Sequence, residues 1–243
     1  MASPRPTSAT HSTIHGFVTG DYVSPAGARL AGQRVVAVAY LVRHPEANLL
    51  FDTGFPFDEP FSVEDGNDAV PTFPQSLEEG LARLGTPLSD VDLVVNCHLH
   101  IDHAGGNFRL PADLPIYAQA VELELARAET EPLVIDALAL DRQAYRALGG
   151  QVDILPGVRA LPTPGHTAGH HSLVVDTQGG PVVLLGQGMP SASEFAAAAY
   201  AVTLEAIGSQ PVPPYPAWLP DILAVEPARV HFAHDLAIWQ PGA

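Results

Sequence analysis

The segment His98-Leu99-His100-Ile101-Asp102-His103 carries four side chains of the metal-ligand type within six residues. It directly follows the apolar run at 91–97, which predicts a β-strand. If strand geometry continues into the motif, His98 and His100 point to the same side. The chain then bends, so that Asp102 and His103 reach a neighbouring position. Because imidazole and carboxylate groups are common metal ligands, the motif predicts a site for one or two metal ions.

Two more histidine segments can complete such a site. Residues 163–170 read TPGHTAGH between two predicted strands, where glycine permits a tight turn that presents His166. Residues 231–235 read HFAHD, and His234 ends an apolar strand there. A lone histidine is more often a hydrogen-bonded structural residue, but a site begun by four adjacent ligands needs distant partners to complete its coordination. His166 and His234 are therefore predicted ligands.

Composition argues against several classes of partner. The 243 residues include 27 acidic and 11 basic side chains, a formal net charge of -16. Nucleic acids and anionic membranes need a cationic face, so neither is expected as a partner. The chain has one cysteine, which excludes an intrachain disulfide, and its first residues lack the apolar core of a signal peptide. A cytoplasmic protein is expected, with a disordered tail at 1–12 and a single domain at 13–243.

The order of apolar runs predicts strands and helices interspersed along the whole chain. Runs at 35–42 and 48–51 predict a hairpin that ends in Asp52-Thr53-Gly54, and Ser76 with Glu79 predicts a capped helix at 76–85. Further helices are predicted at 119–128, 133–148, 193–207 and 217–225, and further strands at 115–118, 158–161, 171–176, 181–186 and 229–233. The pattern indicates an α+β domain.

Four segments together resemble the metallo-β-lactamase superfamily over roughly residues 35–235: HLHIDHAGG, TPGHTAGH, the DTG after the second strand and FAHD. The wording of NCHLHIDHAGGN, PIYAQAVELELA and LPTPGHTAGHHSLVV is closer to its N-acyl homoserine lactonase-like branch. Members of that branch open the lactone ring of quorum-sensing signals, an activity known as quorum quenching. The resemblance implies an αβ/βα sandwich, two packed mixed sheets flanked by helices, with the metal site at one end of the sheets.

The same resemblance implies an assignment of ligands. One zinc ion would be held by His98, His100 and His166, and another by Asp102, His103 and His234, with iron, manganese or cobalt as alternative metals. Asp52 would lie beside the ions and orient their ligands. The alternative for Asp52 is a simple turn residue. His170 is a candidate for either an orienting or a purely structural hydrogen bond.

One position departs from the family pattern. Members usually carry an aspartate that bridges both metals after the strand that follows the GHT motif, whereas Gln187 stands at that place here. A neutral amide is a poor bridge between cations, so we expect weaker or less balanced binding of one or two ions. The tyrosine that lactonases often place just beyond the aspartate is also missing, since Met189 and Pro190 lie there.

The expected function is hydrolysis of a lactone or ester, foremost an N-acyl homoserine lactone, by attack of metal-bound hydroxide. Asp102 is the candidate catalytic residue, relaying a proton to the leaving alkoxide. A small neutral acyl-containing substrate suits the acidic chain, and both a monomer and a homodimer stay open. Aromatic and apolar residues could wall an acyl pocket or form ordinary core; they are Phe55, Phe57, Phe61, Phe73, Met189, Tyr215 and Trp218.

Three other functions remain open at this point, of which a single-iron persulfide dioxygenase is the least favoured because no other feature of the sequence recommends it. Another hydrolase on the same scaffold, of the β-lactamase or thioesterase type, would share every metal ligand. A catalytically weak metal-binding or ligand-binding protein is the second alternative, and Gln187 is the residue that favours it.

Overall fold

The computed structural model of the protein describes residues 11–24, 31–56, 61–63, 67–69, 75–128, 140–141 and 143–242. The strands are β1 (Thr13–Val23), β2 (Arg34–Arg43), β3 (Asn48–Phe51), β4 (Phe61–Val63), β5 (Asn67–Ala69), β6 (Leu93–Val95), β7 (Pro115–Gln119), β8 (Ala144–Leu148), β9 (Val152–Leu155), β10 (Val158–Pro162), β11 (His171–Thr177), β12 (Gly180–Leu184) and β13 (Arg229–His231). The α-helices are α1 (Leu77–Arg83), α2 (Ile101–Ala104), α3 (Ala120–Ala128), α4 (Ala192–Ala206) and α5 (Leu219–Ala224).

Two mixed sheets form the centre of the molecule. The first has six strands in the order β1-β2-β3-β6-β7-β8, and the second has five in the order β13-β12-β11-β10-β9. In the first sheet β1, β2 and β3 are antiparallel, whereas β3, β6, β7 and β8 run parallel. In the second sheet only the β12–β13 pair is parallel among its neighbouring strands. Strands β4 and β5 form a separate two-stranded sheet.

The two large sheets pack face to face, and helices cover their outer faces. Buried residues of both sheets, such as Leu49 and Phe51 from the first and Leu173 and Leu184 from the second, share one apolar cluster. Helices α1 and α3 pack on the outer face of the first sheet, and α4 and α5 on that of the second. This is the predicted αβ/βα sandwich, in which each sheet buries both of its faces.

Several predicted elements are confirmed. The hairpin of β2 and β3 is antiparallel, and α1 has the capping box predicted for it, because Ser76 Oγ accepts from the Glu79 N–H while Glu79 Oε2 accepts from the Ser76 N–H. No helix within the described residues is long and apolar enough to cross a membrane.

The helix predicted at 133–148 is wrong at its end. Residues Ala144–Leu148 form strand β8, which pairs in parallel with β7, while residues 131–139 and 142 lie outside the described part of the chain. Strand β1 was not predicted; it pairs along β2 with a register shift between Val18 and Gly20. The tail predicted at 1–12 lies mostly outside the described residues, although Ser12 is buried and bridges to Thr177.

Candidate metal centre

The predicted ligands meet at one edge of the two sheets. Asp52 follows β3 and His98 follows β6, and these strands are parallel neighbours, so their carboxyl ends lie side by side. Gln187 follows β12 and His234 follows β13, which are parallel neighbours in the other sheet. His166 lies in the loop between β10 and β11 at the same edge. The polar side chains therefore converge where both sheets end.

Asp102, His103 and His234, which we call the second trio, have the spacing of a tetrahedral cation site. The Nε2 atoms of His103 and His234 are 3.2 Å apart. Asp102 Oδ2 lies 3.6 Å from the first of these nitrogens and 3.5 Å from the second. Ligands about 2.0–2.1 Å from a tetrahedral zinc ion are roughly 3.3 Å from one another. The second trio can therefore accept a zinc-sized ion with little rearrangement.

His98, His100 and His166, which we call the first trio, also converge. Ligand atoms of these three side chains lie within 4.8 Å of one another, and His166 Nε2 is 3.0 Å from His100 Nδ1. His98 is fully buried, and its Nε2 atom has no hydrogen-bond partner among the described residues. Leaving a buried nitrogen without a partner destabilises the folded protein by about 1–3 kcal/mol, and a bound cation would supply the missing partner for this lone pair. The donor set of both trios thus fits divalent metal ions.

Asp52 contacts His103 of the second trio directly and His98 of the first trio through Cys97. It is 1% exposed and accepts a hydrogen bond from the Nδ1–H of His103 at 2.9 Å. The Cys97 N–H donates to its Oδ1 at 2.8 Å, and the Cys97 thiol lies 3.0 Å from its Oδ2 and 3.1 Å from His98 Nδ1. Because Asp52 holds a proton on Nδ1, Nε2 is the His103 nitrogen that faces the second trio and that could bind a metal after losing its own proton. This position is compatible with the orienting role that the resemblance implied for Asp52, which stays a prediction.

The remaining ring orientations follow from backbone contacts. His234 Nδ1–H donates to the Val36 carbonyl at 2.7 Å, which leaves its Nε2 free for the second trio. His170 uses both nitrogens within the protein: Nδ1–H donates to the Thr163 carbonyl at 3.0 Å, and Nε2 accepts from the Gln187 N–H at 3.0 Å. His170 therefore holds the loop after β12 in place and has no lone pair left for a metal.

The Gln187 side chain lies beside the second trio. Its Oε1 is 3.0 Å from His103 Nε2. The preceding Gly186 approaches Cys97 so closely that a Cβ at 186 would be 2.7 Å from the Cys97 Cβ, which brings Gln187 against the second trio. The amide oxygen can contact a cation there but adds no negative charge.

The two trios differ in the charges that their side chains carry. Burial alone would lower the pKa of His103, but the carboxylates of Asp102 and Asp52 raise it to about 9. Burial would raise the pKa of Asp102, but His103 and His234 hold it below its usual value. Burial and the neighbouring rings keep the pKa of His98 well below the ordinary histidine value. His98 is therefore neutral near pH 7, whereas the second trio contains an ion pair whose proton a metal must displace.

Some residues support the centre in ways that the sequence did not predict. Thr53 donates its hydroxyl to the His103 carbonyl at 3.1 Å, and Trp218 Nε1 donates to the Pro164 carbonyl at 2.9 Å. Glu122, which is 1% exposed on α3, contacts the loops of the first trio. An acidic residue on the same helix face as buried Leu123 and Ala126 is the pattern that could have revealed it.

The predicted acyl pocket is only partly described. The side chains of Phe57, Phe61 and Phe73 lie outside the described residues. Met189 and Trp218 are each 7% exposed and belong to the apolar cluster that α4 and α5 form on the second sheet. For these two residues, core packing is the better interpretation.

His171 makes the protein sensitive to acid. It is fully buried, neither ring nitrogen has a hydrogen-bond partner among the described residues, and burial lowers its pKa to about 4. An unfolded histidine titrates near 6.5, so between pH 6.5 and 4 the unfolded chain binds more protons and the free energy of unfolding falls as the pH falls. Between pH 7.5 and 5, we expect the free energy of unfolding of the His171→Leu protein to fall by about 2 kcal/mol less than that of the unaltered protein. Urea unfolding of both metal-free proteins at the two pH values measures this difference, and equal losses would contradict the prediction.

The geometry defines a class of protein, an αβ/βα sandwich with a histidine- and carboxylate-rich metal centre at the end of its sheets. A family model described as the metallo-beta-lactamase superfamily matches residues 32–228, so the chain belongs to that superfamily. Membership implies binding of divalent metal ions, in agreement with the clusters of ligand atoms described above.

The chain is similar in sequence to N-acyl homoserine lactonases of Bacillus. The chain is 35% identical over 157 residues to an N-acyl homoserine lactonase of Bacillus cereus and 36% identical over 157 residues to one of a Bacillus species. Each match covers 60% of this chain and spans 60% of the relative's length. This likeness supports the lactonase-like branch that the sequence motifs predicted.

Solved structures share the fold over nearly the whole chain. An N-acyl homoserine lactone hydrolase with N-hexanoyl-L-homoserine at its catalytic metal centre has a TM-score of 0.71 at 22% identity, covering 94% of this chain and 95% of the other. A probable metal-dependent hydrolase from Staphylococcus aureus has a TM-score of 0.65 at 14% identity, covering 96% and 98%. At these identities the similarity establishes the fold alone.

Proposed function

We propose that the protein is a metal-dependent hydrolase that opens the ring of N-acyl homoserine lactones. The observation that carries the proposal is the convergence of the two trios at one sheet edge, with ligand atoms 3.2–3.6 Å apart in the second trio. The lactonase relatives, at 35% identity, favour a lactone over the other substrates that this kind of centre can hydrolyse.

We further propose that each trio holds one divalent ion, with zinc as the first choice because its ligands are imidazoles and a carboxylate. Ions bound there would acidify a coordinated water and polarise the substrate carbonyl. His103 and His234 would hold an ion in the second trio through Nε2, because their Nδ1 protons are committed to Asp52 and to the Val36 carbonyl.

Asp102 is the proposed proton relay. Its carboxylate is 14% exposed, so it reaches the edge of the centre that a substrate can approach. Its pKa is held below the usual value, despite burial, by His103 and His234, so it is ionised at neutral pH and able to accept a proton. It can then return that proton to the leaving alkoxide oxygen.

A neutral substrate also agrees with the charge of the chain. With a formal net charge of -16, the protein repels polyanions such as nucleic acids, while a lactone with a neutral acyl chain meets no such barrier.

The test is a substrate panel on metal-loaded protein. Homoserine lactones with short and long acyl chains are offered together with a β-lactam and a thioester, and acid release is followed by pH-stat. We expect turnover of the lactones, loss of turnover after chelation and recovery on adding Zn²⁺. Turnover of the β-lactam or thioester in place of the lactones would show another hydrolase on this fold.

A catalytically weak metal-binding protein is the second candidate, and the position of Gln187 beside His103 favours it. A protein that holds its full complement of metal yet turns over no member of the panel would support this candidate and reject the lactonase proposal.

A further inference from the structure

Glu122 lies at the junction of the two loops that carry the first trio. Its side chain is buried on α3 at 1% exposure. Glu122 Oε2 accepts a hydrogen bond from the Leu99 N–H at 3.3 Å, between His98 and His100 in the chain. Glu122 Oε1 accepts from the Gly169 N–H at 2.8 Å and from the Thr167 hydroxyl. One carboxylate thus contacts both loops, close to every ligand of the first trio.

Burial of the Glu122 carboxylate is unfavourable unless hydrogen bonds from the protein compensate for it. Removing a carboxylate from water is strongly unfavourable unless hydrogen bonds replace the water it loses. Here two backbone N–H groups and one hydroxyl do so, and those N–H groups would themselves be buried without an acceptor if the carboxylate were absent. An apolar residue at 122 would leave both loops unsatisfied, so the carboxylate is matched to them.

The second loop lies directly on α3. A Cβ at position 169 would be 2.8 Å from both the Cγ and the backbone nitrogen of Glu122, so only glycine permits this approach. His166, three residues earlier, is exposed and depends on its loop for its position. Trp218 holds the other end of the same loop through the Pro164 carbonyl at 2.9 Å.

We infer that Glu122 is a positioning residue for the metal centre: it sets the spacing of His98 and His100 relative to His166 and so tunes metal affinity at the first trio. The hydrogen bonds from the Leu99 N–H, the Gly169 N–H and the Thr167 hydroxyl all reach it from the loops that carry His98, His100 and His166. We therefore expect the effect to be larger at the first trio than at the second.

The experiment measures Zn²⁺ affinity, by competition with a chromophoric chelator, in two backgrounds of the full chain. His103→Ala disables the second trio and leaves the first, while His166→Ala does the reverse. Glu122→Gln is introduced into each, because glutamine keeps the shape but places an NH₂ group against the donors of one loop. Glu124→Gln, exposed two residues along the same helix, is the matched control for the loss of charge.

We expect Glu122→Gln to weaken Zn²⁺ binding about 10- to 100-fold in the His103→Ala background, the range seen when groups that orient ligands are lost. In the His166→Ala background we expect a change within about threefold, and Glu124→Gln should have no effect in either. The absorption spectrum of bound Co²⁺ should change only in the first background, because the ligand geometry changes there.

The Thr167→Val variant gives a second test, because it removes one hydrogen-bond donor to Glu122 and keeps the side-chain shape. Thr167→Val acts through the same carboxylate as Glu122→Gln. The double variant should therefore lose less Zn²⁺ binding free energy than the sum of the losses in the two single variants. Independent, fully additive effects would contradict the inference.

Three outcomes would overturn the inference: unchanged affinity at the first trio, equal loss in both backgrounds, which would indicate a general loss of stability, or no measurable Zn²⁺ binding by the His103→Ala protein. The inference rests on the metal centre of the proposed function and not on its substrate. A protein that hydrolyses no lactone but shows the trio-specific loss would reject the proposed activity and leave the role of Glu122 intact.

Discussion

The His103→Ala protein is expected to hydrolyse homoserine lactones at least about 10³-fold more slowly than the unaltered protein. His103 donates to Asp52 through Nδ1 and faces His234 and Gln187 through Nε2, so its removal takes away one of the three ligands of the second trio and three of the contacts around it. It also leaves the buried Asp52 carboxylate without one of its donors. The measurements are kcat/KM by pH-stat and bound metal per chain.

The control for this variant is His11→Ala, since His11 is exposed near the start of the described chain and distant in sequence from the centre. Its turnover should equal that of the unaltered protein. A His103→Ala protein that loses metal but keeps more than about a tenth of its turnover would show that the second trio is not needed for hydrolysis.

The Gln187→Asp protein is expected to bind a second divalent ion about 100-fold more tightly than the unaltered protein. Asp102 is the only residue of the two trios with a formal negative charge, and it would have to balance up to two divalent cations. Unit charges about 4 Å apart attract by about 4 kcal/mol at an effective dielectric constant near 20. If desolvation of the new carboxylate removes about a third of that, about 2.7 kcal/mol or a factor of 100 remains.

Gln187→Asn is the matched control, because it shortens the side chain as aspartate does without adding charge. Gln187→Glu keeps the original length and tests whether the shorter aspartate still reaches the second trio. Calorimetric titration with Zn²⁺ gives the two affinities directly. Equal affinities for the Asp and Asn variants would show that charge at 187 does not limit binding, and lactone turnover that appears only with Asp would identify the native chain as a weakly active form.

The candidate ligand residues could be selected from the sequence because metal chemistry restricts ligands to a few residue types. Four such residues in six positions, followed by His166 and His234 at the ends of apolar strands, allowed a prediction of a metal site before any distance was known. Gln187 stood out only against the resemblance to the family, since a lone glutamine carries no signal of its own. The fold prediction followed from the same resemblance.

The β8 segment shows where local patterns fail. Ala144-Tyr145-Arg146-Ala147-Leu148 contains good helix formers, and its propensity favours the helix that was predicted. Its parallel pairing with β7 outweighs that preference, because ladder hydrogen bonds and packing against the sheet contribute more than a few tenths of a kcal/mol per residue.

The sequence by itself determined the chemistry of the centre: which side chains are able to bind a metal, and that His98, His166 and His234 come after strands. Only the tertiary structure decided how they are used. Which nitrogen of His103 faces the second trio depends on Asp52, 51 positions away, and the burial of Glu122 depends on a loop 47 positions away. Hydrogen bonds form within about 3 Å, and positions so far apart in the chain reach that distance only when both sheets and their helices have packed.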